Sequence, residues 1–286
     1  MVPLIATNSL RDQIDDIAKA SGADAIAVAF FDSRHNTQWS YHGDRWFHAA
    51  STIKVPVLLG VFGAVKKGRL TEFSRIHVRN RFYSVVDGLP FRIDLARDST
   101  PEVHDAIGKT MQMRELARYM IVTSSNLATN LLIDIVGVGE IQQTLHELGL
   151  DQGIEFVRAV EDTAAWEQDI NNRVTADGLL DALRMIAEER AISEDASRHM
   201  LDILHGQEFK RGIPAGIPVE ARVAHKTGEI STVAHDAGIV YLQDREPYVV
   251  IILTEWDAAK SGRQETIARI SRVVYECVSE GDGHGE

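Results

Sequence analysis

The sequence lacks the features that define several large classes of protein. Cysteine occurs once, at Cys277, so no disulfide can form within the chain and stability has to come from packing. No stretch of about 18 apolar residues occurs, so no membrane-spanning helix is expected. The 30 basic residues face 42 acidic ones, with no dense basic block, and the formal charge is −12. Because a nucleic-acid partner requires a basic surface, none is expected.

Signals for targeting, metal binding and nucleotide binding are also lacking. The opening segment, Met-Val-Pro-Leu-Ile-Ala, carries no positive charge, and its apolar run is too short for the core of a signal peptide. We therefore expect a cytoplasmic protein, or a periplasmic or secreted one from which a leader has been removed. Histidine and cysteine do not occur at zinc-ligand spacings, and neither a glycine-rich phosphate loop nor a Gly-x-Ser-x-Gly elbow is present. We expect no metal and no other cofactor.

Apolar residues, 44% of the 286, recur with two distinct periods. Strand-like runs lie near both ends of the chain, at 25–32, 37–41, 219–226, 234–242 and 248–255. Helical patterns lie at 10–19, 51–67, 113–135, 141–148, 175–189, 194–204 and 263–278. Early strands must therefore pair with late ones. This order predicts an α/β fold of the α+β type, in which a five-stranded antiparallel sheet is flanked by terminal helices and packed against an all-helical region.

We predict a single domain over residues 10–280. Its α/β part is formed by 10–45 together with 205–280, and its helical part by 46–204. No internal repeat or low-complexity linker divides the chain. The last residues, 281–286, are rich in glycine and acid and are expected to fray.

The first candidate for chemistry is the tetrapeptide Ser51-Thr-Ile-Lys54, at the start of an apolar helical run. Residues three apart share a helix face, so the hydroxyl and the amine can meet. A serine hydroxyl needs a base to become a good nucleophile, and burial lowers the pKa of a lysine enough for it to accept the proton. Taken alone, the pair is more typical of a capped, solvated helix start.

Two further polar clusters interrupt apolar segments. Ser124-Ser125-Asn126 lies within a helical run, where serine and asparagine commonly cap a helix junction. Lys226-Thr227-Gly228 lies at the end of an apolar strand, where a lysine commonly guards the strand edge against aggregation. The flanking threonine and glycine favour instead a strand that lines a site.

Together and in this order, the three clusters resemble the Ser-x-x-Lys, Ser-Asp/Ser-Asn and Lys-Thr-Gly motifs of the class A β-lactamases and penicillin-binding proteins. Ser51 and Ser124 are 73 residues apart, and Ser124 and Lys226 are 102 apart, which suits this superfamily of penicillin-recognising serine hydrolases. The stretch after Ser125 and the pair His235-Asp236 are also similar to the family. The resemblance covers residues 10–280 and implies the β-lactamase/transpeptidase-like fold.

The resemblance implies a role for each motif residue. Ser51 would attack a carbonyl carbon and become acylated while Lys54 accepts its proton. Ser124, helped by Lys226, would protonate the leaving nitrogen. The oxyanion would lie between the backbone amides of Ser51 and Glu229. The substrate would also be bound by three residues of the second and third motifs, Asn126, Thr227 and Gly228.

The chain departs from the family's pattern at three places. Ser125 occupies the position of the commoner aspartate of the second motif, and Glu229 puts a carboxylate where a small residue is usual. The loop 160–172 has no match to Glu-x-x-Leu-Asn, whose glutamate activates water in class A enzymes, and its end at Asn172 resembles that of shorter-loop relatives. The acids of this loop are candidate bases for deacylation: Glu161, Asp162, Glu167 and Asp169. A solvated acidic loop without a catalytic role would explain them equally well.

We therefore expect a serine hydrolase of the β-lactamase type that opens a β-lactam amide through an acyl-enzyme on Ser51. An esterase or peptidase on the same scaffold is the alternative that the irregular loop and Glu229 favour. A penicillin-binding module that is acylated without turnover is the other alternative. The partner is expected to be a small amide or ester, foremost a β-lactam, and the chain a monomer, as is usual in the family.

Overall fold

The computed structural model describes residues 4–243 and 245–280, so the predicted frayed tail at 281–286 lies outside the described residues. Its strands are β1 (Ala25–Asp32), β2 (Thr37–Tyr41), β3 (Phe47–His48), β4 (Arg75–His77), β5 (Phe82–Tyr83), β6 (Pro90–Phe91), β7 (Thr110–Gln112), β8 (Ile154–Glu155), β9 (Arg173–Val174), β10 (Arg222–Ile230), β11 (Val233–Tyr241) and β12 (Tyr248–Glu255). Its α-helices are α1 (Leu4–Ser21), α2 (Lys54–Lys66), α3 (Pro101–Asp105), α4 (Met113–Val122), α5 (Asn126–Val136), α6 (Val138–Glu147), α7 (Thr163–Glu167), α8 (Ala176–Ala187), α9 (Glu194–His205) and α10 (Arg263–Glu280). Short 3₁₀ turns cover Ala50–Ile53, Leu95–Arg97 and Ile213–Gly216.

The main sheet has five strands in the order β10-β11-β12-β1-β2, and every neighbouring pair is antiparallel. The first strand of the chain pairs with the last one, from Ala25 opposite Glu255 to Asp32 opposite Tyr248. This confirms the prediction that early strands pair with late ones. It also confirms the fold class.

Both faces of the sheet are covered, and β1 shows how. Alternate side chains of a strand point to opposite faces. Ala27, Ala29 and Phe31 pack into the core shared with the helical part of the chain. The residues between them, Ile26, Val28 and Phe30, pack into a second core with α1 and α10. Burial on both faces explains why this strand reads as a continuous apolar run.

The region predicted to be all-helical also contains short strands. They form three small antiparallel sheets, β3-β9-β8, β4-β7 and β5-β6. The helix predicted over 113–135 is in fact two helices, because the chain breaks between Val122 and Asn126. Ser124 has φ +62°, a left-handed conformation that a helix does not accommodate. Ser125 then caps α5 by accepting a hydrogen bond from the amide of Ala128 at 3.1 Å.

Helix α2 lies at the centre of the helical part. Nearly all its side chains are buried, and it is apolar on all sides, as a helix surrounded by protein should be. Helix α6 crosses it closely where α2 carries Gly60 and Gly63, against Ile141 and Thr144. Within residues 4–243 and 245–280, no helix has both the length and the apolar character needed to cross a bilayer.

We predict that Gly60→Ala lowers the free energy of unfolding by about 1–3 kcal/mol, measured by urea denaturation. A methyl group there would lie 2.6 Å from Cγ1 and 3.1 Å from the backbone Cα of Ile141, so α6 would have to move. The matched control is Gly139→Ala in α6, where the added methyl meets open space. That change should stabilise the protein by up to about 1 kcal/mol through helix propensity. Equal stability of Gly60→Ala and the wild type would contradict the close packing.

Candidate active site

The three sequence motifs meet at the side chain of Ser124. The amine of Lys54 donates hydrogen bonds to the carbonyl oxygen of Ser124 at 2.7 Å, to its Oγ at 3.1 Å and to Oδ1 of Asn126 at 2.8 Å. The amine of Lys226 donates to the same Oγ at 3.1 Å. Ser124 is thus shared by a lysine from the central helix and a lysine from the sheet.

Ser51 lies in the 3₁₀ turn that leads into α2. Its position is held by its neighbours: Ala49 donates its amide to the carbonyl of Asn172 at 2.9 Å, and Thr52 donates its hydroxyl to the carbonyl of Ala49 at 2.6 Å. Its side chain borders two adjoining cavities of 590 and 410 Å³. Among the described residues the Ser51 hydroxyl has no hydrogen-bond partner, so the expected direct contact with Lys54 is not formed in this state.

Lys54 is fully buried at the first position of α2. Burial disfavours the charged ammonium and lowers the pKa of Lys54 to about 7, although the carboxylates of Asp98 and Glu161 act in the opposite direction. A large fraction of this amine is therefore neutral near pH 7 and able to accept a proton. An exposed lysine could not do this.

Lys226 is also fully buried. The sequence had indicated a position at the end of a strand, but Lys226 lies inside strand β10. Burial is the main cause that lowers the pKa of Lys226 well below its usual range. The neighbouring Lys54 lowers it further, while Asp236 on β11 raises it. The amine also donates to the carbonyl of Thr227 at 2.9 Å.

Gly228 allows β10 to approach the nucleophile. A Cβ atom at this position would lie 3.1 Å from the amide nitrogen of Ser51 and 3.0 Å from that of Thr52. Glu229 follows with an exposed side chain, which accepts a hydrogen bond from Nε2 of Gln264 at 2.8 Å. The third motif thus forms one wall of the site.

Besides Thr227, the smaller cavity is bordered by two cations that the motifs do not include, Lys210 and Arg211. Both are exposed, and neither forms an ion pair within the part of the chain that the structure describes. An adjacent lysine and arginine shortly before the third motif, in an acidic chain, are the sequence signal that could have indicated them.

Only one of the four candidate bases contacts the motif residues. Glu161 accepts a hydrogen bond from Nδ2 of Asn126 at 2.7 Å and lines the larger cavity beside Ser51. The preceding residue, Val160, is clamped by both its amide and its carbonyl to the side chain of Asn130 at 2.9 Å. Glu161 itself has φ +59°, a left-handed conformation held by its own hydrogen bond to Asn126 and by those of Val160.

The other three acids of this loop do not contact the motif residues, although Asp162 also borders the larger cavity. Asp162 is buried as the cap of α7, where its two oxygens accept the amides of Ala165 at 3.2 Å and Val85 at 3.0 Å. Glu167 is exposed and does not border the cavities around Ser51. Asp169 is exposed and accepts a hydrogen bond from Asn171. Their positions fit structural or solvated roles.

Three further residues near the site carried no sequence signal for their position. Asp98 is buried beneath the second motif and accepts the amide of Asn126 at 3.1 Å. His48 and Trp166 border the larger cavity and pack edge to face, with ring centroids 5.1 Å apart. Burial lowers the pKa of His48 to about 4, so this ring is neutral at pH 7. The described ranges contain no cluster of three or more potential metal ligands.

Comparison with known proteins agrees with this geometry. A sequence model of the beta-lactamase enzyme family matches residues 9–278. A β-lactamase of Bacteroides uniformis is 28% identical over 185 residues, which are 59% of this chain and 61% of that protein. The β-lactamase OXY-2 of Klebsiella oxytoca is 23% identical over 287 residues, covering 95% of this chain and 90% of the relative.

A solved structure is also similar over nearly the whole chain. A mutant of PBP-A, in an acyl-enzyme complex with penicillin-G, is 27% identical, with a TM-score of 0.78. The similarity covers 96% of this chain and 97% of that one. Since the family match includes all three motifs and nearly the whole described chain, this protein belongs to the beta-lactamase enzyme family and is a hydrolase.

Proposed function

We propose that this hydrolase is a class A-like serine β-lactamase, which opens a β-lactam amide through an acyl-enzyme on Ser51. The observation that carries the proposal is the buried Lys54 amine, which has a pKa of about 7 and lies one helical turn from the Ser51 hydroxyl, a group without a hydrogen-bond partner among the described residues. The β-lactamase relatives and the penicillin-G acyl-enzyme of PBP-A support the choice of substrate class.

Acylation uses the three motifs in sequence. Ser51 Oγ attacks the carbonyl carbon, and its proton passes to the neutral amine of Lys54. The oxygen that becomes negative is bound by the backbone amides of Ser51 and Glu229, donors that typically contribute about 3 kcal/mol each. The carbon–nitrogen bond then breaks, and the leaving nitrogen takes the Ser124 proton. Both lysine amines contact Ser124 Oγ at 3.1 Å and can replace that proton.

Deacylation requires a water and a base, and Glu161 is the carboxylate that the geometry favours. Its hydrogen bond to Asn126 holds it at the wall of the cavity that Ser51 borders. Glu161 would remove a proton from a water molecule as that water attacks the ester carbonyl. Ser51 Oγ would leave as the alcohol by taking up the proton that Glu161 had removed, and the opened β-lactam would be released.

Substrate binding on the opposite side would involve Thr227, Lys210 and Arg211. The two cations border the 410 Å³ cavity together with Ser51 and Ser124. An anionic substrate would meet these two cations there, in spite of the net charge of −12, although two carboxylates, Glu208 and Glu229, border the same cavity. Glu229 opposes this attraction, although its hydrogen bond to Gln264 fixes one of its oxygens on the α10 side.

The first prediction concerns the nucleophile. Mixed with penicillin G and followed by time-resolved intact-mass spectrometry, the wild type should gain the mass of the drug and then lose it as penicillin is consumed. Ser51→Ala should gain no mass, because the attacking oxygen is absent. A persistent adduct would indicate a penicillin-binding module. Untouched penicillin, together with Ser51-dependent cleavage of a p-nitrophenyl ester, would indicate an esterase.

The second prediction concerns the base. Glu161→Gln should lengthen the lifetime of the adduct by about 10²- to 10⁴-fold, because a glutamine cannot accept the proton of the attacking water. Glu167→Gln is the matched control: it makes the same change on the same loop, at a carboxylate outside the cavities around Ser51, and should leave the lifetime unchanged. Equal lifetimes for both variants would exclude Glu161 as the base.

The third prediction concerns pH. The rate of acylation should rise as pH increases through about 7, since only the deprotonated Lys54 amine can accept the Ser51 proton. Below this pH the amine is charged and the rate should fall about tenfold per unit. The measurement is the initial rate of adduct formation against pH. A rate that is constant between about pH 6 and pH 8 would contradict a role for Lys54 as the base.

A further inference from the structure

We infer that Asp98 is a positioning residue of this active site: from a separate loop it supplies the carboxylate that the second motif lacks at Ser125, and it fixes Ser124 and Asn126 in their working geometry. The inference rests on the proposed function, since it assigns the two motif residues their roles in acylation. The observation behind it is a set of hydrogen bonds that converge on one fully buried side chain.

Asp98 follows a 3₁₀ turn at the edge of the larger cavity, 28 residues before Asn126. Its Oδ1 accepts the amide of Asn126 at 3.1 Å, and its Oδ2 accepts the amide of Leu127 at 2.9 Å. Oδ2 also contacts Oγ of Ser125 and Nε2 of His104, both at 3.2 Å. A negative charge at the first amides of α5 is favourable because these donors have no partner within the helix.

The two residues that follow Asp98 hold the other side of the same junction. Ser99 donates its hydroxyl to the carbonyl of Thr123, and Thr100 Oγ1 shares a hydrogen bond of 2.5 Å with Thr123 Oγ1. The tripeptide 98–100 therefore contacts the residues on both sides of Ser124. This matters because a serine at φ +62° is strained, and such a conformation persists only where the surroundings fix it.

Ser125 explains why an acid is needed from elsewhere. Its hydroxyl caps α5 by accepting the amide of Ala128 and donates its own proton to Asp98. It contributes no charge, so within the described chain the only carboxylate that accepts the first backbone amides of α5 is that of Asp98, whereas Glu161 contacts only the side chain of Asn126. Asp98 and Ser125 together perform the capping and charge functions that a single aspartate at 125 could combine.

The charge of Asp98 also acts on Lys54. Asp98 and Glu161 both raise the pKa of Lys54, against the effect of burial. The cation that faces the Lys54 amine is Lys226, on the other side of Ser124. His104 is the titratable group that faces Asp98 itself. Removing the carboxylate therefore lowers the pKa of Lys54. The acid limb of the pH profile, which is the range where the acylation rate rises with pH, then shifts to lower pH. A purely structural role would reduce the rate and leave the limb in place.

The test is the pH profile of adduct formation with penicillin G for Asp98→Asn. We expect acylation at about pH 8 to slow by tenfold or more through misplacement of Ser124 and Asn126, and the acid limb to move to lower pH. The matched control is Asp94→Asn, the same change in the same loop at an exposed carboxylate that caps Ala96 at 2.9 Å and does not contact the junction. It should keep the wild-type rate and limb.

A double variant, Asp98→Ser with Ser125→Asp, keeps the test decisive if Asp98→Asn does not fold. The two side chains are 3.2 Å apart, so the exchanged carboxylate stays beside α5, and the acid limb should return to its wild-type position. A limb that stays in place in Asp98→Asn, or that remains displaced in the folded double variant, would overturn the inference. Failure of the wild type to form any adduct would count against the proposed function instead.

Discussion

The structure of this active site depends on one buried amine. Lys54 lies in the first turn of the central apolar helix, and its amine donates hydrogen bonds to the junction between α4 and α5, at Ser124 and Asn126. Lys226 reaches Ser124 from the sheet on the other side. These contacts join the helical and α/β parts of the chain around one serine hydroxyl, and both lysine side chains that make them are fully buried.

Burying two amines opposes folding, and the surrounding structure offsets that cost with carboxylates. Asp98 and Glu161 both favour the charged form of Lys54, and Asp236 does the same for Lys226. The balance leaves Lys54 with a pKa of about 7, between the value of a solvated lysine and that of one buried without any acid nearby. A proton acceptor useful at neutral pH is thus the product of two opposing effects.

Sequence analysis predicted the features that arise from local periodicity. Strands 25–32, 37–41 and 248–255 have the predicted bounds, because alternation and buried apolar runs are properties of the segments themselves. The serine cluster at 124–126 was interpreted as a possible cap at a helix junction, which it is, but the segment 113–135 was still predicted as one helix. The left-handed conformation of Ser124 could not be predicted, because it is rare for a serine and depends on contacts with residues 98–100. Four acids in one loop also look alike in sequence, and only Asn126, 35 residues earlier, distinguishes Glu161.

The central claim is that Lys54 is largely neutral near pH 7, and a direct titration tests it. The protein would be labelled with ¹³C at the lysine ε-carbons, and the Lys54 resonance would be assigned by comparison with Lys54→Arg. We predict that this resonance titrates near pH 7, well below the ~10.4 that is typical of a lysine in water. A Lys54 resonance that titrates together with the exposed lysines would contradict the account, because a permanently charged amine cannot accept the proton of Ser51.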